Sequence, residues 1–210
     1  MSIIDILLHI AAAVLGYVIG SVNAAVIITK YILKSDVRER GSKNAGAANV
    51  TRVFGPVAGG CTLLLDMAKV MFVMWLGGVI AGETGTATAA IACLTGHCFP
   101  IFFGFKGGKG ILCSDTLLLL LDWRIALVGW GVFVVLWLTT RYVSLGSVAA
   151  AVSLPFTTYF VFHNTACTVL GTCISLLVLW AHRSNIKRLL SGTESKFHFH
   201  VNAPKPGEDE

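Results

Sequence analysis

Val57-Ala-Gly-Gly-Cys-Thr-Leu-Leu-Leu-Asp-Met-Ala-Lys-Val-Met-Phe-Val-Met-Trp-Leu-Gly-Gly-Val-Ile80 is apolar over a length that crosses a bilayer as a helix, yet it carries Asp66 and Lys69. Each charge costs about 2.5–3.5 kcal/mol at the centre of a membrane helix, so the two are expected as an i,i+3 pair turned into a helix bundle. Such a pair serves as glue between helices or as support behind a site. The stretch settles the class of fold: helices in lipid, with the chemistry gathered from polar residues at their ends.

Other spans flank it. Ile3 to about Ile28 forms the first, with Gly16 and Gly20 spaced for close helix packing. Gly82-Glu-Thr-Gly85 makes a turn, and Thr86 to Phe103 forms the third span. Ile111 to Leu121 would be only about 16 Å of helix, too short to cross alone. Asp122-Trp-Arg124 interrupts, and Ile125 to Thr139 continues. A single crossing here would put Arg183, Lys187, Arg188 and Lys196 outside, against the positive-inside rule. A down-and-back pair keeps them inside, and Val143 to Phe162 and Ala166 to about Ala181 complete the set. The expectation is an all-α polytopic membrane protein of about seven hydrophobic helices, two of them partial. Its N-terminus lies outside, its C-terminus is cytoplasmic, and Arg124 is the one basic residue outside.

Composition agrees. Of 210 residues 55% are hydrophobic and 13% charged, against about 25% charged in a soluble domain. Residues 1–197 read as one integral membrane domain. Residues 198–210, with Pro204, Pro206 and Glu208-Asp-Glu210, read as a disordered acidic tail. The net charge of +5 sits in short loops beside spans, which anionic lipid explains and nucleic acid does not. The six cysteines fall in or beside apolar runs without a Cys-x-x-Cys, as small buried residues do. No close set of metal ligands is visible, no cofactor is called for, and no obligate protein partner is evident. The N-terminus lacks a basic leader, so its apolar stretch is expected to stay as the first span.

Three polar clusters remain, all cytoplasmic on this topology. Gly41 to Arg52 offers Ser42, Asn44 and Asn49 as neutral donors and acceptors, Gly46 as a bend and Arg52 as a planar fork for an oxyanion. Gly96 to Gly110 contains His97, then Lys106-Gly-Gly-Lys-Gly110. Glycines there let backbone N–H groups approach an anion, and the lysines add point charges. His182 to Glu194 holds His182, Arg183, Asn185 and Glu194, with His182 and Asn185 on one helical face. Each cluster alone also makes an ordinary turn, cap or basic helix end. Three on one face indicate a shared oxyanion site for a phosphate-bearing substrate at the lipid–water interface.

These clusters resemble the three motif regions of the bacterial acyl-phosphate:glycerol-3-phosphate acyltransferase family, in the right order. Gly41-Ser-Lys-Asn-Ala-Gly-Ala-Ala-Asn49 with Arg52 is similar to the first, Gly96-His-Cys-Phe-Pro100 with Phe105-Lys-Gly-Gly-Lys-Gly110 to the second, and His182-Arg-Ser-Asn-Ile186 with Glu194 to the third. Asp66, Lys69 and the Arg141 to Ser147 segment resemble family features as well. Lys43, Ala48, Asn23 and the Ile111 to Asp115 run depart from the family pattern, bearing on acyl-chain entry and helix packing.

The resemblance implies transfer of a fatty acyl group from acyl phosphate to the 1-hydroxyl of glycerol 3-phosphate, giving lysophosphatidic acid and phosphate, in a bacterial inner membrane with the site at the cytoplasmic face. An acyl phosphate has a good leaving group, so positioning and electrostatics suffice without a covalent acyl-enzyme. Lys106, Gly107, Gly108, Lys109 and Gly110 are the expected phosphate ligands. Ser42, Asn44, Gly46, Asn49 and Arg52 are expected to orient either substrate, with Arg183 at the same site. His97 or His182 is the candidate base, and Asn185 and Glu194 position the acceptor. No histidine has an Asp five residues later, as thioester-dependent enzymes of this step commonly do. The alternative is a transporter or channel for a phosphate-bearing solute, which calls for polar residues through the membrane.

Overall fold

Ser2 and Asp5 exchange hydrogen bonds between side chain and backbone in a capping box that starts α1 (Ile3–Gly20). The computed structural model describes residues 2–197, and among them there are helices and turns but no strand. The acidic tail expected at 198–210 lies outside the described residues. After α1, Asn23 caps the short α2 (Ala24–Val26), which runs on as a π-helical turn over Ile27–Ile32. The chain then crosses a polar loop to α3 (Ala47–Phe54).

Pro56, harmless at a first helical position, opens α4 (Pro56–Cys98). Backbone angles leave the helical region at Ala81 and Gly82, where φ is +67° at the glycine. A methyl group on Gly77 would meet the backbone oxygen of Gly85 at 2.5 Å, whereas residues eight apart in an unbroken helix are separated by about 12 Å. So α4 is two antiparallel limbs joined by a sharp turn, one residue before the turn expected at Gly82. Along α1, Gly16 and Gly20 lie against the backbone of Ala89 and Cys93, and Gly96 against Tyr17 and Ser21. Small residues let these backbones touch, and van der Waals packing holds the helices where lipid gives no hydrophobic drive.

The second half is α5 (Ile111–Leu121), α6 (Trp123–Thr140), α7 (Val143–Phe162), α8 (Thr165–Ala181) and α9 (Arg183–Leu190). Asp122 caps α6 and Asn164 caps α8. α6 is longer than the sequence suggests and spans a bilayer by length and composition, so of the expected down-and-back pair only α5 is short. Among the described residues four helices meet that test, α4 counted once with both its limbs, or five with α8 and α9 counted as one span bent by 63°. Their outer faces carry exposed apolar side chains such as Leu64 at 65% and Phe160 at 68%, suited to hydrocarbon rather than water.

Two cores position the site. Val70, Val73, Leu94, Leu117, Ile125, Ile174 and Val178 pack between α4, α5, α6 and α8. A smaller cluster of Ala25, Val26, Val37, Ala45 and Val50 folds the polar loop before α3 onto the bundle. Arg38 fastens the same loop, gripping Asp36 and donating from Nη1 to the Phe103 carbonyl at 2.8 Å.

Candidate functional site

The three polar clusters meet around one cavity of about 370 Å³. Ser42, Asn44, Gly46, Asn49 and Arg52 form one wall, Lys109 and Gly110 a second, His97 and Asp66 the floor of α4, and His182, Asn185 and Glu194 a third wall. Leu63, Leu112, Trp130, Phe133 and Val143 continue it as an apolar arm. A polar end joined to an apolar groove is the shape of an amphiphile.

Gly46–Ala48 and Gly110–Leu112 both line the cavity, so α3 and α5 begin on its wall. Their unpaired N–H groups and positive dipole ends favour an anion there. Gly110 has φ +77°, a left-handed turn that brings α5 back toward the cavity. Gly108 donates its N–H to the His97 carbonyl at 3.1 Å, and its Cα abuts the His97 ring so closely that a methyl group would overlap Nε2.

Arg52 and Lys109 both face the cavity, and neither has a carboxylate within ion-pair distance among the described residues. Burial lowers the Arg52 guanidinium from its usual value, with Glu194 opposing, and the guanidinium lies 5.4 Å over the Phe197 ring. Burial pushes the Lys109 ammonium down to about 8, Glu194 opposing and Arg188 and Arg52 adding. Two such cations are electrostatically unsatisfied until an anion enters.

Glu194 is the clamp of the third wall. Its Oε1 accepts from Ser144 Oγ and Asn185 Nδ2, both at 2.7 Å, and its Oε2 from Arg188 Nε at 2.7 Å. Burial raises this carboxyl, but the three hydrogen bonds outweigh it and hold it below the usual range. Asn185 Oδ1 is buried with no hydrogen-bond partner among the described residues. A buried acceptor of this kind costs stability unless a donor arrives.

Not every expected residue reaches the cavity through a free side chain. Asn49 accepts from Ser42 N at 2.9 Å and shares its amide among the carbonyls of Val37, Arg40 and Asn44, each at 3.1 Å. Its polar atoms hold the loop together. The Ser42 hydroxyl has no partner among the described residues. Lys106 is exposed and does not line the cavity, and Gly107 supports the loop against the His97 carbonyl and Pro100. Arg183 turns away, donating to the Trp180 carbonyl at 3.0 Å with its guanidinium 5.1 Å over the indole.

Sequence reading missed Ser144 and Ser147 at the head of α7, together with Trp130 and Phe133 of α6. The i,i+3 serines at the start of an otherwise apolar helix were the available signal. Beside the floor, Asp66, His97 and Cys113 bring an oxygen, a nitrogen and a sulfur within 4.8 Å of one another. The Lys69 ammonium already touches the first two, at 2.7 Å from Asp66 Oδ1 and 3.0 Å from His97 Nδ1.

The sequence matches the family profile described as glycerol-3-phosphate acyltransferase over residues 10–192. A protein of that name from Thermoanaerobacter pseudethanolicus is 38% identical over 187 residues, covering 89% of this chain and 94% of the relative. Its counterpart in Rhodopseudomonas palustris is 40% identical over 193 residues, covering 90% and 96%. The crystal structure of PlsY, an integral membrane glycerol 3-phosphate acyltransferase in its glycerol 3-phosphate form, superposes with a TM-score of 0.83. It is 31% identical, over 90% of this chain and 96% of that one. The lysophosphatidic acid form of the same enzyme gives 0.81 at 30% identity, over 91% and 96%.

Proposed function

Since the chain belongs to the glycerol-3-phosphate acyltransferase family, we propose that its donor is an acyl phosphate and that the acyl group passes directly to the 1-hydroxyl of glycerol 3-phosphate within the cavity. The observation that carries this reading is the pair Arg52 and Lys109, two cations without carboxylate partners among the described residues, facing one cavity whose other end is apolar. One anion comes from the donor and one from the acceptor, and the acyl chain lies along Leu112, Trp130 and Phe133.

In this reading the hydroxyl oxygen attacks the carbonyl carbon, the bond from that carbon to the phosphate oxygen breaks, and phosphate leaves with the electron pair. No enzyme nucleophile is needed, and catalysis is positioning plus charge stabilisation. The acceptor hydroxyl donates to Asn185 Oδ1 or to His182. His182 Nδ1 lies 2.9 Å from the Val178 carbonyl and therefore carries the hydrogen, which leaves Nε2 as an acceptor for the hydroxyl proton. Lys109, Gly110 and the N-terminus of α5 hold the donor phosphate, while Ser42 and Arg52 orient the second anion. Apolar segments of α1, both limbs of α4 and α5 to α8 lie in a bacterial inner membrane, N-terminus outside and cavity at the cytoplasmic face.

Protein reconstituted in lipid is given glycerol 3-phosphate with either acyl phosphate or acyl-CoA, and lysophosphatidic acid and phosphate are followed together. The proposal expects equal amounts of both products from acyl phosphate and none from acyl-CoA. Turnover with acyl-CoA alone would overturn the donor and leave the family activity standing.

A further inference from the structure

We infer that Lys69, held by Asp66, locks His97 as an Nε2–H donor against the glycine loop at the edge of the cavity, so that His97 stabilises phosphate charge and does not act as the base. The assignment of its target rests on the cavity being the acyl-transfer site; the tautomer rests on geometry alone.

An ammonium has three donors and no acceptor. Lys69 Nζ ion-pairs with Asp66 Oδ1 at 2.7 Å, and it donates to His97 Nδ1 at 3.0 Å and to the Val22 carbonyl at 3.1 Å. His97 Nδ1 is thus an acceptor, and the ring hydrogen sits on Nε2. The rival arrangement, an Asp66–His97 dyad with hydrogen on Nδ1, fails on distance. Asp66 Oδ1 is 3.6 Å from that nitrogen, beyond a hydrogen bond. Asp66 holds the lysine in place instead, at 2.7 Å, so both are positioning residues.

Nε2 points to the loop. It abuts the Cα of Gly108, its ring lines the cavity, and it has no hydrogen-bond partner among the described residues. The wall it joins already holds Lys109 and the start of α5. A donor added there meets the oxygen on which charge collects as phosphate departs. The two histidines of the cavity are therefore held in opposite senses. His182 is hydrogen-bonded through Nδ1 to a carbonyl acceptor and His97 through Nδ1 to a lysine donor.

The test combines ¹⁵N-histidine NMR of the full chain in lipid nanodiscs with steady-state kinetics. The His97 signals are assigned by their loss in His97→Gln. Wild type is expected to show His97 with a bare Nδ1 and a protonated Nε2, and inorganic phosphate is expected to shift the Nε2–H resonance. Lys69→Met removes the donor to Nδ1, so His97 is expected to populate the Nδ1–H form, with kcat reduced and KM for glycerol 3-phosphate changed little. His97→Phe is expected to lose about 10²- to 10³-fold in kcat, the range for removing one oxyanion donor. His97→Gln, which keeps an amide donor near Nε2, is expected to recover part of it. A protonated Nδ1 in wild type would overturn the lock, as would a Lys69→Met protein that loses kcat with the His97 tautomer unchanged. A correct tautomer with no response to phosphate would overturn the donor role. Absence of turnover from wild type with the expected tautomer would sink the acyl-transfer reading while leaving the lock intact.

Discussion

Lys109 titrates where activity can report it. Burial brings its ammonium down to about 8, and Arg188 and Arg52 press the same way against Glu194. In the proposed reading the charged form binds phosphate, so binding is expected to be lost as pH rises through that value. At pH 7 about ten in eleven free enzyme molecules carry the charge, and at pH 9 about one in eleven. Since kcat/KM follows the free enzyme, it is expected to fall above pH 8 by about tenfold per unit. A bound anion favours the ammonium and lifts its pKa, so kcat at saturating substrate holds its level to higher pH. Lys109→Arg keeps its charge throughout this range, and its profile is expected to lose the alkaline limb even if its absolute rate is lower. The assay is lysophosphatidic acid formation from pH 6.5 to 10 at low and saturating glycerol 3-phosphate. A flat kcat/KM profile from 7 to 10, or the same limb in Lys109→Arg, would refute the reasoning.

The loop offers a contrast between two lysines. Lys109→Ala is expected to lose about 1.5–3 kcal/mol of transition-state binding, or about 10- to 150-fold in kcat/KM, whereas exposed Lys106→Ala stays near wild type. Gly108→Ala forces a methyl group into the His97 ring, an overpacking of about 1–3 kcal/mol to be read as lost activity and a lower melting temperature. Gly104→Ala meets open space and only pays for φ +66°, about 1–2 kcal/mol, with kcat/KM preserved once folded. Glu194→Ala leaves Ser144, Asn185 and Arg188 without their acceptor; about 1–3 kcal/mol of stability and a higher KM for glycerol 3-phosphate are expected in denaturation and kinetic assays.

The helices were legible because lipid demands long apolar runs, and their interruptions stand out. Val57 to Ile80 and the turn after it could be placed within a residue. The apolar run begins α6 only at Ile125, whereas Asp122 caps the helix and brings Trp123 and Arg124 into its first turn. The three clusters were legible as residue types, but which atoms face the cavity was not. Lys106 and Lys109 have the same chemistry and lie three residues apart, and their directions are set by the left-handed turns at Gly104, Phe105 and Gly110. Asn49 looked like a ligand because an amide suits both a loop and a substrate. Only its four loop hydrogen bonds show that the loop uses every polar atom it has. Ser144 reached the site through Glu194, fifty residues along the chain, a pairing that no local pattern announces.

Direct transfer leaves no acyl group on the protein, and a single-turnover experiment sees this most plainly. Enzyme in lipid is mixed with a limiting amount of radiolabelled acyl phosphate, first alone and then with glycerol 3-phosphate, and the protein mass, free phosphate and lysophosphatidic acid are measured at each time. The account predicts no acylated protein at any time, and no phosphate until the acceptor is added, then one phosphate for each lysophosphatidic acid. A burst of phosphate without acceptor, matched by protein heavier by one acyl group, would contradict it.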